Sequence, residues 1–487
     1  MTLGVIATIT ILEGKNAEFE QLFSELTKQV LANEPGALLY ALHRSKSDTQ
    51  VYKVLEQYAS QEDIKAHGQT EYFKEANKKM AGLVAAAPDI EVLDAVEFLN
   101  KRNFTGGRHV KKSDSYRLYG ITHSLYTGRA RSYLIKSGIP FRELSSGHES
   151  FKAEVLPESK AATIPVLVTP EGAVIRDGAA IIEYFERANG REFEPPSAKQ
   201  KIISTLFELI GTSGLLRPAM HYRWNYLDEN REFLHYHFIH SQPEHPEREA
   251  KAQYMMSKMQ NAGMLFGVTE ETMPVVETLY LEFLAALNQH LTEYPYLLGW
   301  KPSIGDFGLI GPMYAHLGRD PVPLRIMQQQ AVRVARWVER MNRTDQDAPE
   351  FFNPGDYYLG DDSIPETLVT VLKILAEDLM PETRAAAEVM NQWLGENQPD
   401  PGTSAQGSLA RRMFGMAEFG LRGQSINAAA QSYRFVILQK LQLQYAQLSA
   451  AEQQDVTQLL QRCGLQELLT IKLDRALGWS ENQDVWL

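Results

Sequence analysis

The sequence predicts a multidomain protein with an α+β ferredoxin-like domain first, a small α/β domain second and a mainly helical remainder. Three observations predict this order. Residues 1–98 alternate strand and helix patterns as βαββαβ. Residues 116–193 combine short apolar strands with helix-start signals. After Pro195-Pro196 the apolar residues recur mostly at helical spacing, and 487 residues are too many for one hydrophobic core.

Composition narrows the classes of function. The chain has 49 Lys and Arg against 61 Asp and Glu, a net charge of −12 that argues against binding nucleic acid or anionic membranes. The lone Cys463 cannot form an intrachain disulfide, is expected to be buried in a helix, and fits a reducing cytoplasm. The apolar stretch from Val5 to Leu12 is too short to span a bilayer. We therefore expect a cytoplasmic protein without a membrane segment.

The elements of the first domain follow from hydrophobic periodicity and turn residues. Pro88 ends the second helical region, and the turn-rich segment 45–48 separates the two central strands. The predicted strands are Leu3–Leu12, Ala37–Arg44, Gln50–Tyr58 and Ile90–Phe98, and the predicted helices are Gly14–Asn33 and Gln61–Ala87. Residues 99–115 are basic and rich in turn formers, which is typical of a solvated linker.

Spaced motifs at 54–58, 66–70 and Phe73-Lys74 resemble the antibiotic biosynthesis monooxygenase (ABM) family. The resemblance implies a dimeric α+β barrel, in which two such domains pair their sheets, and places His67 in a cavity between sheet and helices. A partly buried helix histidine is the alternative for His67. The haem-degrading branch of this family has a tryptophan in the cavity. This branch does not fit, because residues 1–115 contain no tryptophan. A cofactor-free monooxygenase of quinol-like compounds and a dimerising or ligand-sensing module both remain open.

The segment from Tyr116 to Glu186 carries three further motifs: Ser124-Leu125-Tyr126-Thr127-Gly128 after a strand, Thr163-Ile164-Pro165 opening another, and Arg176-Asp177-Gly178 before a helix. Together they resemble the thioredoxin-like N-terminal domain of glutathione transferases (GSTs), here at 116–193. The P-Y-L-L-G sequence before the capping box Ser303-x-x-Asp306 resembles their all-α C-terminal domain, here at 196–345. Residues 346–487 predict a helical extension without a motif of known chemistry.

The resemblance implies glutathione as cosubstrate and assigns roles to residues of these motifs. Ser124 would activate the thiol, with Tyr126 and Thr127 as the nearest alternative hydroxyls and a plain N-cap as the structural alternative. A cis Ile164–Pro165 bond would present the Ile164 backbone to the cysteinyl part. Asp177 would hold the γ-glutamyl ammonium, although Gly178 lacks the hydroxyl that the family places there. The remaining candidates are Lys160 and Arg176 for the glycyl carboxylate, and Tyr222 and Trp224 for a substrate pocket.

These expectations define a glutathione transferase-like enzyme that acts on an apolar electrophile or a peroxide, as a homodimer. Serine at the turn makes mixed-disulfide exchange there chemically unavailable. A glutathione-binding scaffold without turnover is the rival, favoured by Gly178. Five of the twelve histidines lie between 221 and 245, but their spacing does not suit ligands on one helix face, and we expect no metal.

Overall fold

The computed structural model describes residues 3–94, 115–405 and 413–487. The chain divides into two compact units, Met1–Gly106 and Gly107–Leu487. The predicted linker, apart from Ser115, and the last four residues of the fourth predicted strand lie outside the described residues. None of the helices that the structure describes combines the length and apolar composition needed to cross a membrane.

The first unit is a ferredoxin-like βαββαβ domain, as predicted, with an antiparallel sheet in the order β2-β3-β1-β4. Alternate residues of β1 are buried on the side that α1 covers, which follows from the two-residue period of a strand. The elements are β1 Leu3–Thr10, α1 Asn16–Asn33, β2 Ala37–Arg44, β3 Val51–Tyr58, α2 Gln61–Gln69, α3 Glu71–Met80 and β4 Asp89–Asp94.

The second helical region of this unit differs from the prediction. Thr70 is extended (φ −64°, ψ 142°) and divides it into α2 and α3. The Thr70 hydroxyl donates to the C=O of His67 at 2.9 Å and so closes α2. Threonine competes for backbone hydrogen bonds in this way, and the hydrophobic periodicity alone does not reveal the break.

The second unit begins with a thioredoxin-like domain whose sheet order is β6-β5-β7-β8. Strand β5 is parallel to β6 and antiparallel to β7, which is antiparallel to the edge strand β8. The elements are β5 Tyr116–Tyr119, α4 Leu125–Lys136, β6 Phe141–Leu144, α5 Leu156–Ser159, β7 Val166–Val168, β8 Val174–Arg176 and α6 Gly178–Ala188.

Eight helices follow, and the predicted capping box begins the sixth of them. The Ser303 N–H donates to Asp306 Oδ2 at 2.9 Å, and Asp306 Oδ1 accepts from Trp337 Nε1 at 3.0 Å. Burial raises the pKa of Asp306, whose oxygens serve the fold and not a ligand. The helices are α7 Ala198–Leu209, α8 Leu216–Trp224, α9 Leu227–His240, α10 Arg248–Gly263, α11 Met273–His290, α12 Ile304–Ala315, α13 Pro321–Gln330 and α14 Val332–Arg340.

The C-terminal extension is mainly helical, but it also contains two β-hairpins that we did not predict. Arg422 and Gly423 turn the first with positive φ, and Glu481 and Asn482 turn the second in the same way. The strands of the first hairpin are rich in Ala and Gly, which give little strand signal, and those of the second have only four residues each. The elements are α15 Glu366–Asn397, β9 Gly415–Leu421, β10 Gln424–Ala430, α16 Tyr433–Ala446, α17 Ala450–Arg462, β11 Leu477–Ser480 and β12 Gln483–Trp486.

The extension shares one hydrophobic core with the rest of the second unit. Tyr133 of α4, Phe307 of α12, Leu372 of α15, Leu438 of α16 and Trp486 of β12 all belong to the same buried cluster. Cys463 is buried at the end of α17, where burial raises its thiol pKa to about 11. The extension therefore folds as part of this unit and contacts its thioredoxin-like part directly.

Candidate functional site

The turn between β5 and α4 places Ser124 at the N-cap of α4. Its hydroxyl oxygen accepts from the Thr127 N–H at 3.4 Å, and its side chain is partly exposed. Within the described residues, no group accepts the hydroxyl proton of Ser124. The hydroxyl can therefore donate to a ligand atom that lies at the positive end of the helix dipole.

The two neighbouring hydroxyls are placed differently. Thr127 is fully buried and packs against Gly120, where a Cβ atom would come within 2.2 Å of Thr127 Cγ2. The structure thus turns Thr127 toward the sheet, which does not support a catalytic role for it. Tyr126 is exposed, and its ring meets that of Tyr433 edge-on with centroids 6.3 Å apart.

The Ile164–Pro165 peptide bond is cis, as predicted. The C=O of Pro165 accepts from the Asp177 N–H at 3.1 Å, which joins this loop to the start of α6. The N–H and C=O of Ile164 form no backbone hydrogen bond with any other described residue. They leave one donor and one acceptor with which an extended peptide can pair.

Asp177 caps α6 in a backbone conformation with φ of +87°. Its Oδ1 accepts from the Ala179 N–H at 2.7 Å, the Ala180 N–H at 3.3 Å and the Tyr433 hydroxyl at 3.0 Å. No donor from the described part of the chain reaches Oδ2. The carboxylate is therefore fixed through one oxygen and can receive an ammonium group with the other.

Gly178, where the resemblance leads us to expect a hydroxyl residue, is tightly packed. A Cβ atom at this position would lie 3.1 Å from the Tyr126 C=O and 3.4 Å from Arg129 Cδ. Helices α4 and α6 thus approach each other closely at Gly178. We call the surface bounded by Ser124, Ile164 and Asp177 the thiol groove.

Buried charges lie beneath the thiol groove. The Arg129 guanidinium pairs with Glu208, whose other oxygen accepts from Lys440 Nζ of α16 at 2.8 Å. Burial favours the neutral acid, but Lys440 and Arg129 outweigh it and lower the pKa of Glu208 to about 2. Arg129 Nε and Nη1 are buried without a partner among the described residues. This cluster ties α4, α7 and the extension together.

Lys160 and Arg176 are engaged by the C-terminal hairpin β11–β12. Arg176 Nε donates to the C=O of Asn482 at 2.5 Å, and the guanidinium lies 5.4 Å from the centre of the Trp479 ring. Lys160 Nζ lies 4.0 Å from the Glu481 carboxylate. These contacts do not support the prediction that the two cations hold a glycyl carboxylate.

Tyr222 and Trp224 are core residues in the structure and not a substrate wall. The Tyr222 ring stacks on Tyr226 at 5.6 Å and is tilted against Tyr280 at 5.2 Å. Trp224 is buried and packs against Phe238. The resemblance to the transferases made them pocket candidates, and core packing was the alternative for both.

Two histidines beside the Ser124 turn, His123 and His237, were not predicted as site residues from the sequence. His123 is buried, with its ring centre 5.2 Å from that of His237, and His237 Nε2 accepts from Arg319 at 3.0 Å. Burial, followed by Arg319, lowers the pKa of His237 to about 4. At neutral pH the imidazole is uncharged, and Arg319 supplies the positive charge near the turn. The cluster of histidines at 221–245 is the sequence signal for this site, although their spacing bears only on metal binding.

His67 forms a second candidate site, in the first unit. Its Nδ1 lies 2.9 and 3.0 Å from the two oxygens of Glu34, which also accepts from the Tyr72 hydroxyl at 2.6 Å. The imidazole is buried against the rings of Tyr40, Tyr58 and Phe73. His67 Nε2 is buried and has no partner in the described residues. Glu34 thus orients the imidazole through Nδ1 and leaves Nε2 facing the aromatic enclosure.

Metal binding finds no support in residues 3–94, 115–405 and 413–487, where no three His, Cys, Asp or Glu side chains come together as ligands.

Comparison with known families agrees with both parts of the fold. The sequence model of the antibiotic biosynthesis monooxygenase family matches residues 2–79, and that of the glutathione S-transferase N-terminal domain matches residues 118–195. The chain is therefore a fusion of an ABM domain and a glutathione S-transferase N-terminal domain, followed by a helix-rich remainder. A search of curated proteins gave no significant match.

Solved structures similar to about a fifth of the chain include putative antibiotic biosynthesis monooxygenases. A putative antibiotic biosynthesis monooxygenase from Caulobacter crescentus CB15 is 53% identical over 20% of this chain and 91% of its own, with a TM-score of 0.20. One from Nitrosomonas europaea is 18% identical over 20% of this chain and 90% of its own, with a TM-score of 0.19.

Proposed function

We propose that the protein is a glutathione transferase-like enzyme that activates the thiol of glutathione at Ser124 for attack on an apolar electrophile or a peroxide. The observation that carries this proposal is the position of the Ser124 hydroxyl. Its oxygen caps α4, and its O–H donates to no group in the described residues, so it can donate to a ligand. A thiol titrates near 8.5, and each unit by which its pKa falls requires about 1.4 kcal/mol of preference for the thiolate. One hydroxyl and one helix end are sufficient for a shift of this size.

The other groups of the thiol groove orient the tripeptide. Asp177 Oδ2 receives the γ-glutamyl ammonium, and the Ile164 N–H and C=O pair with the cysteinyl backbone. The sulfur then lies at the start of α4, where Ser124 donates to it. The thiolate attacks the electrophilic carbon, a carbon–sulfur bond forms, and the leaving group departs with its electron pair. With a peroxide, the thiolate attacks one oxygen, the O–O bond breaks, and the other oxygen leaves as an alcohol after taking a proton from solvent. The sulfenic acid that results condenses with a second glutathione to give the disulfide and water.

A calorimetric titration with glutathione, paired with turnover of an aryl halide, tests this proposal. Ser124→Ala should bind glutathione and lose most of its turnover, by about tenfold or more. Ser449→Ala is the matched control, because the Ser449 hydroxyl oxygen caps α17 by accepting from the N–H three residues on at 3.4 Å, the same distance as at Ser124. Binding without turnover in the wild type would favour the scaffold, and the absence of binding would contradict the proposal.

A second candidate function belongs to the first unit, a cofactor-free monooxygenase of quinol-like compounds. The observation that favours it is the buried, unpartnered Nε2 of His67, held by Glu34. This nitrogen would take the phenolic proton, and the resulting quinolate would be oxidised by dioxygen to a hydroxyquinone. One oxygen atom would bond to a ring carbon, and the other would leave as water. Oxygen uptake with a quinol should disappear in His67→Ala and persist in His43→Ala, because His43 is exposed on β2 of the same unit.

Assembly and location follow from the same proposal. We expect a homodimer that pairs the sheets of the first unit, because Ile6, Leu55 and Leu93 stay partly exposed on the sheet face opposite α1. Glutathione as cosubstrate and the single thiol both suit the cytoplasm. Light scattering of the purified chain tests the dimer, and a monomeric mass would contradict it.

A further inference from the structure

We propose that the C-terminal extension is a working part of the thiol site, and that Tyr433 makes the site select thiols with a free γ-glutamyl ammonium. This inference rests on the proposed function and goes beyond it. It assigns a positioning residue to an extension whose sequence has no recognised motif. Tyr433 acts through Asp177 and need not touch the ligand.

The contact between Tyr433 and Asp177 joins residues 256 positions apart. The Tyr433 hydroxyl donates to Asp177 Oδ1 at 3.0 Å, while its ring packs edge-on against Tyr126 of the Ser124 turn. Burial, followed by the charge of Asp177, raises the pKa of this hydroxyl well above its usual range. Tyr433 therefore remains a donor at any physiological pH.

Three donors converge on a single oxygen of Asp177. Two are the N–H groups of Ala179 and Ala180, which any N-cap aspartate would engage, and the third is the Tyr433 hydroxyl. With Oδ1 saturated, the carboxylate cannot rotate without losing all three bonds. No described residue donates to Oδ2, so this negatively charged oxygen is held at one fixed position. A fixed anion selects a cation at that end of the ligand.

Two contacts between the extension and the rest of the unit keep Tyr433 and Asp177 in place. Lys440, on the same helix α16, reaches Glu208 at 2.8 Å. At the sheet edge, the Asn482 side chain takes the place of a further strand: Oδ1 accepts from the Arg176 N–H at 3.1 Å, and Nδ2 donates to the Val174 C=O at 3.1 Å. The residue before Asp177 and the helix that carries Tyr433 are thus both anchored by the extension.

A purely structural tether would make a different prediction from a positioning role. Loss of a tether would weaken every ligand of the groove alike. Loss of a positioning hydroxyl should weaken only ligands that use the Asp177 charge. A pair of ligands that differ in the α-amino group of the glutamyl residue therefore separates the two roles.

The experiment is calorimetry of the full chain with glutathione and with its des-amino analogue, glutaryl-cysteinyl-glycine. Tyr433→Phe, which removes only the hydroxyl, should weaken glutathione about tenfold and leave the analogue unchanged. Asp177→Asn should remove the discrimination between the two ligands. Tyr445→Phe is the matched control, since Tyr445 lies on the same helix and its hydroxyl bonds to Thr457.

Equal weakening of both ligands by Tyr433→Phe would overturn the inference in favour of a tether, and so would unchanged affinity for both. If Tyr433→Phe unfolds, the Asp177→Asn comparison decides alone: discrimination that persists overturns the inference. Wild-type protein that binds neither ligand would refute the proposed function itself, before any variant is made.

Discussion

The two candidate sites of this chain are built on opposite plans. The His67 site draws its groups from residues 34–73, and Glu34 and the aromatic rings enclose the imidazole within one small unit. The thiol groove combines a turn, a proline loop, a helix start and a tyrosine from the far end of the chain. The first site holds a base in place by local packing. The second site depends on contacts between residues far apart in sequence. Substitutions in the C-terminal extension should therefore alter ligand binding at this site.

The largest expected effect concerns the charges buried beneath the thiol groove. Glu208→Gln leaves Arg129 buried without a carboxylate, which should lower the unfolding free energy of the second unit by about 3 kcal/mol or more. Glu467→Gln is the control, because its exposed pair with Arg384 is worth at most about 1 kcal/mol. Urea unfolding measures both. Equal losses of unfolding free energy in the two variants would show that the buried cluster stabilises the unit no more than the exposed ion pair does.

Removing the charge of Asp177 tests ligand binding in the thiol groove more specifically. Asp177→Asn should weaken glutathione binding by about 2 kcal/mol, roughly 30-fold, since a hydrogen bond to a charged group contributes about 1.5–3 kcal/mol. Oxygen uptake attributed to His67 should not change. Calorimetry and an oxygen electrode measure the two quantities in one preparation. Undiminished affinity in the variant would remove Asp177 from the site.

Acid should destabilise the second unit through His290. This side chain is fully buried, its Nε2 lies 3.0 Å from the Leu297 C=O, and burial lowers its pKa from 6.5 to about 4. Between these values the unfolded chain binds more protons than the folded one, so stability falls as the pH falls from 6.5 toward 4. His290 alone should contribute a loss of about 2 kcal/mol between pH 7 and pH 5.

Urea unfolding at pH 7 and at pH 5 measures this loss. His290→Gln should give a shallower pH dependence than the wild type, whatever its own stability at pH 7. His235→Gln, at a partly exposed position on α9, should keep the wild-type dependence. Parallel pH dependence in the wild type and His290→Gln would refute the assignment to His290.

The smallest effect concerns the close approach of α4 and α6. Gly178→Ser introduces a Cβ atom 3.1 Å from the Tyr126 C=O, so we expect a net loss of about 1 kcal/mol despite the lower conformational entropy of the unfolded chain. Gly395→Ala, inside α15 where a Cβ atom meets nothing within 4 Å, should instead gain about 0.5–1 kcal/mol. A Gly178→Ser protein as stable as the wild type would show that the backbone can yield.

Local features of the thiol site could be predicted from the sequence, and long-range ones could not. The cap at Ser124 and the helix start at Asp177 follow from residue types within a few positions, and the cis bond before Pro165 was predicted from the family resemblance of its motif. Tyr433 could not be predicted, because no local pattern shows that a helix 256 residues further on reaches Asp177.

The same limit explains the misplaced candidates. Thr127 is buried because Gly120 leaves room for it, and Arg176 is engaged because Asn482, at the turn of a C-terminal hairpin, hydrogen-bonds to it. Tyr222 lies in the core, because its ring packs against the rings of Tyr226 and Tyr280. In each case the residue type was compatible with a site, and a partner distant in sequence or a choice of face decided its environment.

The most direct test of the account is a pH titration of the ultraviolet absorbance of thiolate in the complex with glutathione. The account predicts that the bound thiol titrates at least one unit below 8.5 in the wild type and returns toward 8.5 in Ser124→Ala. An unshifted thiol in the wild-type complex, or the same shift in both proteins, would contradict the role of Ser124.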